Sequence, residues 1–394
     1  MQKSIAFVLC GCLLSIGVKA QSSSIEDILQ AIEQNNKELK AWSSQLESNK
    51  LALKTSNNLP DPQLGAFYLP FGDHVGGDYA EFQLTQSFEF PSVYGARRNL
   101  IGEQSARLEL DYQVKRQEVL LTARQYCASL IYLNKRKQLE EKRVEQARTV
   151  FEHVQELFDK EEVSVLDLNK AKVAWMQEKF KIEHIEHESR NLLLLLKNLN
   201  GGKELTFQAS EYLDALELPE QDEIWEYKLT RDPSLKLLKQ DQVVAQNALK
   251  LSKSKTLPNL STGFNYQGVR GNNFSGVYAG LSLPLWSNRN KVKAAQLRLD
   301  FSESWSAANT DQRRTVFEKQ YYEYRMLLSK FREYQTTLSG LNSDELLLRS
   351  YQAGQITFME YYMELQFYRQ AYDAMLDMEN QLYQSRADLL KHQL

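Results

Sequence analysis

Cysteine is nearly absent from this 394-residue chain: there are three, and Cys10 and Cys12 fall within the first twenty residues. The remainder keeps only Cys127, and one thiol makes no internal disulfide, so packing alone has to hold the fold. Proline (8) and glycine (17) are few, which excludes collagen and Pro/Gly-rich low-complexity sequence. Neither sign of charge dominates: 48 basic against 51 acidic residues give a net charge of −3, without the strongly basic domain of a nucleic-acid binder. Beyond the first twenty residues the longest apolar run is Leu192 to Leu196, stopped by Lys197. With a mean hydropathy of −0.51 this excludes a bundle of transmembrane helices. It does not exclude a β-barrel, whose alternating strands average out.

Enzyme signatures are missing too. There is no glycine-rich phosphate loop, no His-Glu-x-x-His and no Gly-x-Ser-x-Gly. Histidine is limited to His74, His153, His184, His187 and His392. His184 and His187 share a helical face with Glu183, Glu186 and Glu188, a spacing compatible with a metal but far more common as a solvated charged face. No histidine has glutamate three residues before it, as di-iron bundles require. The expectation is no catalytic residue, no metal and no cofactor.

Residues 1–20 read as a secretory signal peptide: a basic start at Lys3, an apolar stretch from Ile5 to Val18, and Val18-Lys19-Ala20 before Gln21. Leu9-Cys10-Gly11-Cys12 resembles a lipidation site, but the apolar run continues through Leu13, Leu14 and Ile16, which favours the leader.

The rest repeats itself, which is the most informative feature present. Ala52-Leu53-Lys54 with Leu59-Pro60 recurs as Ala248-Leu249-Lys250 with Leu257-Pro258. Asn36-Lys37-Glu38-Leu39 corresponds to Asp232-Pro233-Ser234-Leu235. Phe88-Glu89-Phe90-Pro91 matches Leu281-Ser282-Leu283-Pro284, and at the same spacing Val163-Ser164 and Asp167 match Ile356-Thr357 and Glu360. Two repeats are expected, 21–200 and 220–394, joined by a segment over 201–219.

Each repeat opens with a helix, 25–57 or 221–255, ended by Leu-Pro because proline lacks an amide proton and disfavours helix before it. A β-hairpin follows, over 62–90 and 259–285, with Gly/Asn/Asp clusters at 72–77 and around Arg270-Gly271-Asn272-Asn273 as turns. The strands alternate. Phe82, Leu84, Phe88 and Phe90 oppose Glu81, Gln83, Thr85 and Ser87. Val277, Ala279, Leu281, Leu283 and Leu285 oppose Tyr278, Gly280 and Ser282, and Leu260, Phe264 and Tyr266 form a third apolar row. Period 2 puts one face against an apolar medium and the other against water. Strands of this length suit a membrane barrel, and Pro91, Tyr94, Pro284 and Trp286 mark barrel-to-helix junctions with interfacial aromatics. A soluble sheet with one buried face stays open as the alternative.

Long proline-free helices come next, 95–159 and 289–353, with coiled-coil spacing at Val144, Ala147, Phe151, Val154 and Phe158 and at Leu327, Phe331, Tyr334, Leu338 and Leu341. Tight turns lead into returning helices, 164–199 and 356–392. Ser164 and Thr357 are natural N-caps, with Asp167 and Glu360 in capping-box position. Val163, Val165, Ile356 and Phe358 beside Gly354 are expected as exposed apolar knobs for a partner hairpin. Asp344 and Glu345, above the second turn, are candidates for a ring of pore charge. Four transmembrane strands cannot close a barrel, and open edges are not tolerated in lipid, so several chains must pool them; three chains supply twelve strands.

This duplicated order resembles the TolC-like outer membrane efflux factor family, near the branch that works with heavy-metal and multidrug resistance-nodulation-division pumps. The residues carrying the resemblance are Leu59-Pro60, Leu257-Pro258, Pro284-Leu285-Trp286 and the turns at Val163-Ser164-Val165-Leu166-Asp167 and Gly354-Gln355-Ile356-Thr357-Phe358-Met359-Glu360. It implies a mainly α chain with a β-barrel portion: a homotrimer with a twelve-stranded barrel in outer-membrane lipid and an α-helical tunnel in the periplasm. It further implies tip-first docking on a periplasmic adaptor of an inner-membrane pump, with no nucleic-acid partner. Two departures stand out: the mature chain would begin at Gln21 without a lipidated cysteine, and Asn288 replaces a glycine that the first half keeps as Gly95. The alternative is a soluble periplasmic coiled-coil adaptor or binding protein.

Overall fold

Ser24 starts a helix. The Ser24 hydroxyl accepts the Asp27 amide at 3.1 Å, and the Asp27 carboxylate accepts the Ser24 amide at 3.0 Å, a complete capping box. The computed structural model describes residues 24–69, 78–269, 272–341 and 343–394. The expected leader 1–20 with Cys10 and Cys12, the turn at 72–77 with His74, and Arg270-Gly271 lie outside the described residues.

The single helix expected over 25–57 is two, α1 (Ile25–Asn35) and α2 (Lys37–Thr55). Asn36 breaks it: its backbone leaves helical geometry, its side chain accepts the Leu39 amide at 2.8 Å and donates to Leu199 O at 2.8 Å. The break recurs in the second half at Asp232, between α5 (Gln221–Arg231) and α6 (Pro233–Ser254), where Asp232 caps and Pro233 occupies the first turn.

Four antiparallel strands form one sheet in the order β1 (Gln63–Leu69), β2 (Tyr79–Phe88), β3 (Asn259–Val269), β4 (Asn272–Ser282). The two hairpins therefore join through β2 and β3, and β1 and β4 are the edges. Register puts Leu64, Leu84, Phe264 and Val277 in one row and Phe88, Leu260 and Leu281 in another, so all four apolar sets share a face.

From β2, Pro91 starts α3 (Pro91–Asp159) at once, four residues earlier than expected. Its 69 residues at 1.5 Å rise reach about 100 Å. After β4 the chain takes eight further residues, including Asn290 at φ 64°, before α7 (Lys291–Ser339). The long helix expected over 289–353 is interrupted. α7 stops at Gly340, a poor helix former, and α8 (Ser343–Gln352) completes the run. The returning helices are α4 (Val165–Leu199) and α9 (Phe358–Leu389), followed by a short 3-10 turn at Lys391–Gln393.

Three apolar clusters hold these helices. One per half sits mid-length: Ile28, Ile32, Leu120, Cys127, Ile131 and Leu196 in the first, Trp225, Phe317, Tyr321, Tyr324, Phe331 and Leu382 in the second. Cys127 is fully buried, and desolvation pushes its thiol up to about 12. The third cluster closes the tips. In α7 the buried stripe runs Phe317, Tyr321, Tyr324, Leu328 and Phe331 in a 4-3 repeat, skips the exposed Gln335, and ends at Leu338 before the break. The expected stripe was one residue out of phase at Leu327, which is half-buried, and Tyr334 and Leu341 are exposed.

Candidate functional site

Two surfaces and one buried cluster carry the chemistry of this chain, and the sheet is the first. Its apolar face is bare: Val277 is 84% exposed and Leu64 78%, with Phe82, Leu84, Phe264 and Leu281 beside them. The opposite face is cross-linked by hydrogen bonds, with the Asn265 Oδ1 left without a partner among the described residues. Asn265 donates to Glu81 at 3.0 Å, Gln83 donates to the Tyr278 hydroxyl at 3.2 Å, and Thr85 shares a short bond with the same hydroxyl. Tyr278 lies flat over Gly263, where a Cβ would come within 2.6 Å of its ring. Exposed apolar side chains on one face and a hydrogen-bonded polar layer on the other are the reverse of a soluble sheet that buries its apolar side. Among the described residues nothing pairs the outer edges of β1 and β4. At the junction, Arg97 pairs with Glu89, Tyr94 OH accepts the Glu89 amide at 3.1 Å, and Trp286 is 80% exposed.

The tips are the second surface. The helices that lead into the two tips, α3 and α8, end in a six-residue closure: Glu162 N–H to Leu157 O and Gln355 N–H to Ser350 O, each 2.9 Å. That closure needs a left-handed residue. The second tip supplies Gly354 (φ 70°), whereas the first uses Glu161 (φ 62°). A side chain there costs roughly 1–2 kcal/mol less the extra entropy of glycine, so Glu161→Gly is expected to stabilise the first hairpin by about 1 kcal/mol. A melting temperature unchanged or lowered by the substitution contradicts this.

Thr357 and Glu360 form the full capping box, with Thr357 N–H to Glu360 at 2.8 Å, while Ser164 accepts the Asp167 amide at 3.2 Å. The apolar knobs divide. Phe358 is buried and Val163 and Ile356 half-buried in the tip cluster with Val150, Val154, Tyr351 and Tyr361. Val165 is 53% exposed and its neighbour Leu166 64%. Phe358 therefore packs inward, because two hairpins meet there and its ring stacks on Tyr362. Of the pore-charge candidates, Asp344 lies 4.0 Å from Arg369, and Glu345 pairs with Arg349 one turn along.

The third feature is a buried ionic cluster between the two halves, which the sequence reading did not single out. Arg143 bonds Glu140 at 2.7 Å and Asp373 at 2.8 Å. Arg369 bonds Glu178 at 3.0 Å and Gln146 at 2.9 Å, and Lys181 bonds Glu178 at 3.0 Å. Glu140, Arg143, Glu178 and Arg369 are each at most 3% exposed. Desolvation raises the Glu140 carboxyl, whose Oε2 has no partner among the described residues. Desolvation also pushes Glu178 up, but Lys181 and Arg369 outweigh it and hold the group below the usual carboxylate range. The signal was available: positions 140, 143, 147, 150 and 154 continue one 3-4 stripe, and two are charged.

Elsewhere the chemistry is sparse. His184 lies 3.7 Å from Glu188 and His187 bonds Asn191. Among the described residues no group of three or more His, Cys, Asp or Glu is placed to hold a metal, and no helix is long and apolar enough to cross a membrane.

Neither a protein-family model nor a curated protein matches the chain. Solved structures do. The outer-membrane channel OprN superposes with a TM-score of 0.77 at 13% identity, over 93% of this chain and 89% of that one. CusC, described in terms of folding and transmembrane channel formation, gives 0.78 at 14% identity, over 93% and 91%. The outer membrane protein VceC of Vibrio cholerae gives 0.73 at 10% identity, over 93% and 95%. The fold expected from the sequence, TolC-like with long helical hairpins and four strands per chain, is the fold observed.

Proposed function

We propose that the chain is the outer-membrane exit duct of a tripartite efflux system, conducting passively what an inner-membrane pump and a periplasmic adaptor deliver. The observation that carries this reading is the sheet: an exposed apolar face, a hydrogen-bonded polar face and, among the described residues, two unpaired edges. Edges are intolerable in lipid, so the sheet is completed by other copies, and three give a closed barrel of twelve strands. The same symmetry rolls the helices into a tunnel on the periplasmic side. The likeness to outer-membrane channels over nearly the whole chain supports the assignment. In this reading residues 1–20 are the leader, 21–200 and 220–394 the two repeats, and the tips around Ser164 and Thr357 dock the adaptor.

Such a duct works without an active site. Its selectivity lies in the charges that line its narrow end, and a ring of Asp344 or Glu345 belongs to the proposal. Reconstitution into planar bilayers tests both parts. The purified protein is expected to give discrete cation-preferring currents, and alanine at both positions to weaken that preference. A protein that never conducts contradicts the duct; a preference unchanged by the double substitution rules out the ring.

A further inference from the structure

The internal duplication lets one helical seam be read from another. From hairpin to tip the halves run at a constant offset of 193. Phe88 in β2 corresponds to Leu281 in β4, Asp159 to Gln352 at the ends of the long helices, and Ser164 to Thr357 at the caps. Within the chain, α9 lies along the groove of α3 and α4, and the buried ionic cluster fills that contact. The counterpart contact sets α4 along the groove of α7 and α9. The chain does not make that contact itself: α4 packs on α3, and its outward face is open.

The residues at the counterpart contact differ in kind. Arg369 becomes Met176 and Asp373 becomes Phe180, which are 59% and 66% exposed. On the receiving side Glu178 becomes Ala371, Arg143 becomes Thr336 and Gln146 becomes Ser339. Only Glu140 keeps a charge, as Glu333, which is exposed and bonded to Lys330 at 2.8 Å. The two charged side chains of α9 are thus replaced by two large apolar ones on α4, and their partners shrink to Ala, Thr and Ser. This is the size complementarity of knobs entering holes. The next pair along changes too: Tyr132 bonds Asp377 inside the chain, and their counterparts are Arg325 on α7 and His184 on α4, whose ring lies 3.7 Å from Glu188.

We propose that the Met176–Phe180 strip of α4 seats the α7–α9 groove of a second copy, and that the tunnel's end opens along these apolar seams. The ionic seam inside each chain stays closed, so α3, α4, α8 and α9 of one chain move as one body. Apolar contact is non-directional and survives sliding, whereas parting the ionic seam strips buried charges of specific partners. The proposal rests on the trimeric duct reading.

Paired cysteines and a short bis-maleimide test it on the assembled protein. Met176→Cys with Ser339→Cys spans the seam between copies. Gln177→Cys with Tyr362→Cys spans the seam within a chain, replacing side chains that bond at 3.2 Å. Cys127 stays silent, being buried with its thiol near 12. The first pair is expected to give covalent dimers and trimers on boiled gels and to abolish open-channel events in bilayers. The second is expected to give monomers only, with currents unchanged. If the first pair yields no intermolecular product while unboiled protein still runs as a trimer, the seam is assigned wrongly. If currents are lost on linking within the chain and kept on linking between chains, opening runs along the ionic seam. An unassembled, soluble chain overturns the duct reading itself, and the seam proposal with it.

Discussion

Arg369→Met is expected to destabilise the helical part by about 3–5 kcal/mol, the usual effect of removing one partner from a buried ion pair. It leaves Glu178, 2% exposed, with Lys181 as its remaining cation and frees Gln146. Adding Glu178→Ala is expected to recover most of that loss, since the uncompensated charge leaves with its partner and the pair then matches Met176 and Ala371. Thermal melts followed by circular dichroism measure both; a double variant no more stable than the single one contradicts the coupling. The two carboxylates also differ in sign. Glu178 is depressed, so its contribution is present above its unfolded pKa and is lost as pH falls through the folded value. Glu140 is raised, so it opposes folding as pH rises through its folded value. Glu140→Gln, which imitates the protonated acid, is therefore expected to be milder than Glu178→Gln at neutral pH, and the opposite order contradicts the assignment.

Val165→Arg is expected to abolish export while leaving the assembled protein intact. Val165 is 53% exposed at the first tip and stands outside the tip cluster, so the substitution removes no buried contact. In the proposed duct an arginine there sets a long cation where an adaptor's hairpin would approach, and an unpaired charge buried at an interface costs several kcal/mol. Phe358→Arg is the contrasting case: that ring is buried between hairpins, so the variant is expected to lose tip stability before any docking is tested. Normal export by Val165→Arg, at normal abundance, contradicts docking at the tips.

The sequence made the architecture legible because its signals are local. Leu-Pro ends helices twice, alternation marks strands, and Ser164 and Thr357 cap helices by hydrogen bonds that need only three residues of chain. The helix breaks were harder to read. Asn36 and Asp232 cap a second helix inside a helical pattern, and of the two only the Asp232-Pro233 step writes that in composition. Gly340 ends α7 where apolar spacing continues unchanged through Leu341. The ionic cluster was least legible, since Arg143 and Asp373 meet across the two halves of the chain. Glu345, a pore-charge candidate, sits beside Arg349 on the surface. Charges set on the apolar stripe at Glu140 and Arg143 mark the buried cluster instead. Side-chain exposure at the tips was the other weakness: Phe358 faces inward because the second hairpin packs against the first, a long-range fact.

The central claim is that the sheet lies in the outer membrane as part of a shared barrel. Fractionating cells that express the tagged protein, and running the membrane fraction on denaturing gels with and without boiling, tests it most directly. The account predicts an outer-membrane band at trimer size without boiling that collapses to the monomer on boiling. A soluble monomer in both lanes contradicts it, and the exposed face of Leu64, Leu84, Phe264 and Val277 would then need a partner other than lipid.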